Sequence, residues 1–120
     1  MGMASISSPF ESNSPAALSA GNLSIDAEAY EVSVDGEEVE LTYQEFELLR
    51  LLVLGAGHVL PFQAIAEHLW PTGESDRFLR LRVAICRLRA KLASSDPYTI
   101  VTVRGRGYGL LARKRRVASV

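Results

Sequence analysis

RFLRLRVAICRLRAKL, residues 77–92, is the stretch from which the rest of the chain is read. Leu81, Ile85, Leu88 and Leu92 recur at steps of four, three and four, the spacing of one buried stripe, so a helix is predicted from about Arg77 to Ala93. Turning about 100° per residue away from that stripe points Leu79, Val83, Cys86, Arg87 and Ala90 outward, flanked by Arg80, Arg82 and Arg89. The outer face is basic but slim. A helix entering a major groove needs small or flat residues at its centre and guanidinium groups that reach base edges or phosphates.

Six basic residues on one amphipathic helix ordinarily mean a solvated face relieved by acids a turn away. Between Arg77 and Ser95 there is no acid, so the sequence predicts a polyanion as the offset. Arg87, with a fork that fits guanine O6 and N7, and Val83, suited to a thymine methyl, are the candidate base readers. Arg80, Arg82 and Arg89 are the candidate phosphate contacts. Cys86 lies outward too, and is assigned no role.

Downstream, residues 98–103 are rich in β-formers and residues 108–111 can return as a second strand around Arg104-Gly105-Arg106-Gly107. The glycines permit positive φ, and Arg104 and Arg106 at such a tip suit a narrow minor groove, although an ordinary exposed turn has the same composition. The Thr102 hydroxyl is a candidate phosphate donor. Tyr108 is expected in the core.

Upstream, Thr42 and Glu45 form an S/T-x-x-E capping box that starts a helix from Tyr43 to about Leu54, with Phe46, Leu49, Leu52 and Val53 inward. A shorter helix follows from Phe62 to Trp70, with Ile65 and Leu69 inward, ended by Pro71, Thr72 and Gly73. Trp70 is expected in the core, and His58 and His68 are given no site role. From Leu23 onward, Leu23 and Ile25, then Tyr30, Val32 and Val34, then Val39 and Leu41 alternate, with Asp35-Gly36 as turn chemistry. This predicts a small antiparallel sheet with one wet face.

Residues 1–22 are rich in Ser, Ala, Pro and Asn without periodicity and are read as a flexible leader or linker. The domain is placed at residues 23–112 and a basic tail at 113–120. The net charge of −1 hides a split. Residues 1–76 hold 13 acids against Arg50 alone, a net −12, whereas residues 77–120 hold 12 bases against Asp96 alone, a net +11. No apolar run is long enough to span a membrane and no secretory signal is present, so a cytoplasmic protein is expected. The single cysteine and two histidines have no metal spacing, and no hydrolase, phosphate-loop or zinc-protease motif is present. Neither enzymatic activity nor a cofactor is expected.

LTYQEFELLRLL at 41–52, HVLPFQAIAEHLW at 58–70, VAICRLRAKL at 83–92 and TVRGRGYGL at 102–110 together resemble the OmpR/PhoB-type effector domain of bacterial response regulators in two-component systems. The paired RLRxKL and TVRGxGY signatures are the most specific part. The resemblance spans Leu23 to about Leu111. It implies an α+β winged helix-turn-helix with an N-terminal antiparallel β-sheet, a three-helix core and a C-terminal β-hairpin wing.

The same resemblance implies sequence-specific binding of double-stranded DNA at direct repeats, often as head-to-tail dimers, and a loop after Trp70 that meets RNA polymerase. The family's reading helix corresponds to Arg82, Val83, Ala84, Arg87 and Arg89, and its minor-groove arginine to Arg104. Three positions depart from the pattern. Pro61 replaces a Ser-type cap, Leu79 stands where an arginine often contacts phosphate, and Arg82 stands where an acid is common. No receiver domain lies in these residues. The competing reading is a protein-interaction or regulatory appendage of a larger protein, using its hairpin or acidic sheet in place of a groove.

Overall fold

The computed structural model describes residues 17–73 and 75–112. Four short strands open the chain: β1 (Ala17–Ala20), β2 (Leu23–Asp26), β3 (Glu31–Val34) and β4 (Glu37–Val39), paired in sequence order as an antiparallel meander. Leu23, Ile25, Val32 and Val34 face the core, while Ser24 and Asp26 are exposed, which is the predicted wet-faced alternation. The β3–β4 turn has positive φ at both Asp35 (55°) and Gly36 (85°), the mirror-type geometry whose twist suits a hairpin.

Strand β1 corrects the leader assigned to residues 1–22, because residues 17–20 pair along their whole length with β2. Their order comes from contacts the local composition does not advertise. Ala20 is buried. The turn that follows is clamped, with the Asn22 side chain accepting from the Asp96 amide (2.7 Å) and donating to the Ser94 carbonyl (3.2 Å). Gly21 approaches this loop so closely that a Cβ there would overlap the Asp96 carbonyl and Pro97. The rest of the leader, residues 1–16, and the basic tail at 113–120 lie outside the described residues.

Helix α1 (Tyr43–Leu54) starts at Thr42 with both arms of the predicted capping box: the Glu45 amide donates to Thr42 Oγ1 (3.2 Å) and the Thr42 amide to Glu45 Oε1 (3.0 Å). Strand β5 (Val59–Pro61) leads directly into helix α2 (Phe62–Leu69), with Trp70 as its C-cap. Helix α3 (Arg77–Lys91) ends slightly before the predicted boundary. Strands β6 (Tyr98–Val103) and β7 (Gly107–Ala112) form the C-terminal hairpin, and β5 adds to its other side in the order β5-β7-β6.

The core joins all layers. Leu48, Leu49 and Leu52 of α1, Ile65 of α2, Leu81, Ile85 and Leu88 of α3 and Leu110 of β7 are almost fully buried beside the sheet residues, and Trp70 and Tyr108 are buried as expected. Two helices plus a third carrying an exposed basic face, followed by a hairpin, is a winged helix-turn-helix. Helix α3 and the wing are thus presented together on one packed body.

Candidate nucleic-acid interface

The buried stripe of α3 sets its outward face. Leu81, Ile85, Leu88 and Leu92 are buried, whereas Leu79 is 58% and Val83 40% exposed, and Arg80, Arg82, Cys86, Arg87, Arg89 and Ala90 are exposed as well. Leu79 and Val83 lie one helical turn apart, so they expose one small apolar patch among the arginines, a surface suited to contact with a partner.

The wing tip is built by its backbone. Gly105 has φ +73°, the left-handed region that glycine enters without penalty. At Gly107 a Cβ would overlap the Leu60 carbonyl, so β7 can lie against β5 only without a side chain there. The Phe62 amide donates to the Arg106 carbonyl (3.3 Å), which gives the first turn of α2 the cap that Pro61 cannot provide from its own side chain. Arg104 and Arg106 are exposed.

The absence of acids within 77–95 does not leave all six α3 bases uncompensated. Lys91 Nζ sits 2.7 Å from Glu45 Oε1, and Arg80 Nε sits 3.0 Å from Asp76 Oδ1, one position before the helix. Arg77 donates to the Trp70 carbonyl (3.4 Å) and reaches Glu67 at 4.0 Å. Arg89 donates through Nε to the Ile100 carbonyl (3.0 Å) and through Nη2 to Thr102 Oγ1 (2.7 Å). The sequence reading missed these because the partners lie on other elements or just outside the window.

What remains is informative. Among the described residues, the Arg82, Arg87, Arg104 and Arg106 side chains have no hydrogen-bond or ion-pair partner. The structure brings three of them, Arg82, Arg87 and Arg104, together around two hollows that share Arg82, while Arg106 lines neither. One, between α3 and β6, is lined by Arg82, Cys86, Arg87, Arg89 and Thr102. The second, beneath the wing tip, is lined by Phe78, Arg82, Arg104 and Gly105. Arg80, Val83 and Arg87 line a third on the other flank of α3, facing Thr42 and Gln44 at the start of α1. Phe78 and Gln44 were not among the sequence candidates. Phe78, 47% exposed, continues the buried stripe one step toward the start of the helix (78, 81, 85, 88), so periodicity alone would have placed it in the core.

The Glu45 carboxylate is buried, and burial alone would raise its pKa. The Lys91 hydrogen bond, the Thr42 backbone hydrogen bond and the Lys91 charge outweigh that and hold it below the ordinary carboxylate range. Lys91 is therefore spent inside the domain. Among the described residues no cluster of three His, Cys, Asp or Glu side chains could hold a metal ion, and no helix is long and apolar enough to cross a membrane.

The family model described as "Transcriptional regulatory protein, C terminal" matches residues 36–110, from the β3–β4 turn through most of β7. The chain belongs to that family. It is 38% identical over 101 residues to the transcriptional regulatory protein HprR of Escherichia coli, a match that covers 82% of this chain and 44% of HprR. This domain thus spans less than half the length of that relative. Among solved structures, it is similar to the DNA-binding domain of CpxR from Escherichia coli (TM-score 0.73, 29% identity, covering 84% of this chain and 100% of that one). DrrB of Thermotoga maritima, an OmpR/PhoB homologue, matches with TM-score 0.71 and 28% identity over 86% of this chain and 48% of its own. The Klebsiella pneumoniae RstA DNA-binding domain, solved in complex with the RstA box, matches with TM-score 0.66 and 33% identity over 79% of this chain and 96% of its own. The domain is thus an OmpR/PhoB-type effector domain, as its signatures implied.

Proposed function

We propose that this domain binds double-stranded DNA sequence-specifically as the effector domain of a bacterial transcriptional regulator, with α3 in the major groove and the wing tip in the adjacent minor groove. The observation that carries this reading is the set of four guanidinium groups, Arg82, Arg87, Arg104 and Arg106, left without partners among the described residues while the neighbouring bases are satisfied. Clustered cations of one sign cost stability unless an anion offsets them, and a phosphate backbone supplies one at regular spacing. The structure of the RstA domain on its box supports the same use of the fold.

In this reading Arg87 and Val83 meet base edges, Arg82 meets phosphate, Arg104 enters the minor groove and Arg106 supports it from the backbone side. Arg80 joins them cheaply, because its pair with Asp76 is half exposed and worth at most about 1 kcal/mol. Arg89 adds positive charge beside the phosphate path. The Thr102 oxygen accepts from Arg89, so its own proton is left to donate to a phosphate oxygen. Direct-repeat sites, a head-to-tail dimer on DNA and an RNA polymerase contact through residues 71–76 complete the proposal. They rest on the family pattern and on the exposure of the described residues of that loop.

Selection of bound sequences from random duplex tests the core of it. A repeated half-site should be enriched, and affinity for it should fall steeply as salt rises. Enrichment of no sequence, or affinity indifferent to salt, would overturn the reading.

A further inference from the structure

Arg89 is the feature that the DNA-contact reading absorbs least well. It stands in the last turn of α3, on the exposed side of the helix, yet both donors with defined partners point at the wing: Nε at the Ile100 carbonyl (3.0 Å) and Nη2 at Thr102 Oγ1 (2.7 Å). Strand β6 is an edge strand of its sheet, so its outer side has no neighbouring strand to complete it. Arg89 fills part of that gap with a charge-assisted donor. Among the described residues these are the only side-chain hydrogen bonds between α3 and the hairpin.

We infer that Arg89 is a positioning residue: a two-pronged strut that sets the wing against the recognition helix, and so fixes how far the Arg104 tip stands from the residues that read the major groove. The inference rests on the proposed DNA-binding reading. It assigns Arg89 a different part from Arg80 or Arg82, which would meet phosphate as charges.

The geometry gives the strut leverage. Ile100 and Thr102 lie on the strand that runs straight into the Arg104 turn, and Thr102 is two residues from Arg104. On the far side the hairpin is gripped by β5, where Leu60 pairs with Tyr108 and Pro61 with Gly107. On the α3 side Ile100 is buried in the core that Leu88 shares, and Arg89 extends the hold from Ile100 to Thr102, nearer the tip. A fork bridging two acceptors on one strand resists pivoting in a way a single point contact does not.

Lysine separates the two roles, since it keeps the charge but has no fork. Binding of the 120-residue chain to a selected duplex would be compared for wild type, Arg89→Lys, Arg104→Ala and the double variant, with thermal melts alongside. A strut predicts that Arg89→Lys weakens binding about tenfold with an unchanged salt slope. In the Arg104→Ala background, where the wing no longer reads the groove, the same change should cost less than about twofold. Wild-type affinity in Arg89→Lys, or fully additive losses in the double variant, overturns the inference and returns Arg89 to phosphate holding.

Backbone amide resonances of residues 103–106 in the DNA-free protein supply a second readout. They should move in Arg89→Lys and not in Arg80→Lys, and equal silence in both would also overturn the strut. Failure of the wild type itself to bind any duplex sinks the DNA-binding reading, while the DNA-free resonances still report on the strut.

Discussion

Lys91 Nζ and Glu45 Oε1, 46 residues apart in sequence, meet at 2.7 Å and join the last turn of the recognition helix to the first turn of α1. The same carboxylate closes the Thr42 capping box, so one buried acid serves a helix start and a tertiary link. Glu45→Gln should therefore lose about 1–3 kcal/mol of folding stability at neutral pH, read by urea denaturation.

The pH dependence has a definite sign. Because the folded protein holds the Glu45 carboxyl below its ordinary range, its contribution is complete above that range and is lost as pH falls through the lowered value. The stability gap between wild type and Glu45→Gln should be widest near neutrality and close under acid conditions. A gap constant from pH 7 to strongly acid solution would disprove the link.

Gly105 and Gly107 should respond differently to alanine. At Gly107 the new Cβ would overlap the Leu60 backbone, and Gly107→Ala should cost at least about 2 kcal/mol or abolish folding. At Gly105 the space is open and the cost is only that of positive φ, about 1–2 kcal/mol. Circular dichroism melts of the two variants check the ordering, and a milder Gly107→Ala would contradict the β5–β7 packing.

Arg87→Ala should weaken a selected site by about 1–3 kcal/mol and relax preference at one base position. Arg80→Ala should weaken all sequences alike and flatten the salt slope by about one. Titrations on matched and mismatched duplexes separate the two, and identical behaviour would refute the division between base reading and phosphate holding.

Asn22→Ala removes two hydrogen bonds that clamp the β1–β2 turn onto residues 94–96 and should cost about 1–2 kcal/mol. Hydrogen exchange should show the loss first in β1. Unchanged protection there would mean that the two Asn22 side-chain bonds do not hold β1 in place.

Features with local chemistry were legible before the structure. The Thr42 box, the Leu81, Ile85, Leu88 and Leu92 stripe, the Asp35-Gly36 turn and the glycine tip each bring their own residues within one or two turns of chain. What was not legible depends on distant chain. β1 has the weak sequence ALSA and is ordered by β2 and the 94–97 loop. β5 is three residues ending in Pro61, and its strand character comes from Gly107 and Gly109 across the sheet.

The candidate site divides the same way. The outward arginines could be placed by rotation about the helix axis. Which α3 bases are occupied was legible only for Arg80, whose partner Asp76 stands four residues before it, because Glu45, Thr102 and the Trp70 and Ile100 carbonyls reach Lys91, Arg89 and Arg77 from elsewhere in the fold.

The wing turn assigns its structural duties to main-chain atoms: the Arg106 carbonyl capping α2, the left-handed Gly105 and the bare Cα of Gly107. The side chains at positions 104 and 106 are consequently spare with respect to folding. Mutational drift or deliberate redesign can change both side chains while the scaffold keeps its melting temperature, so under the proposed DNA-binding reading these two positions are the dial for retargeting the domain to a new site.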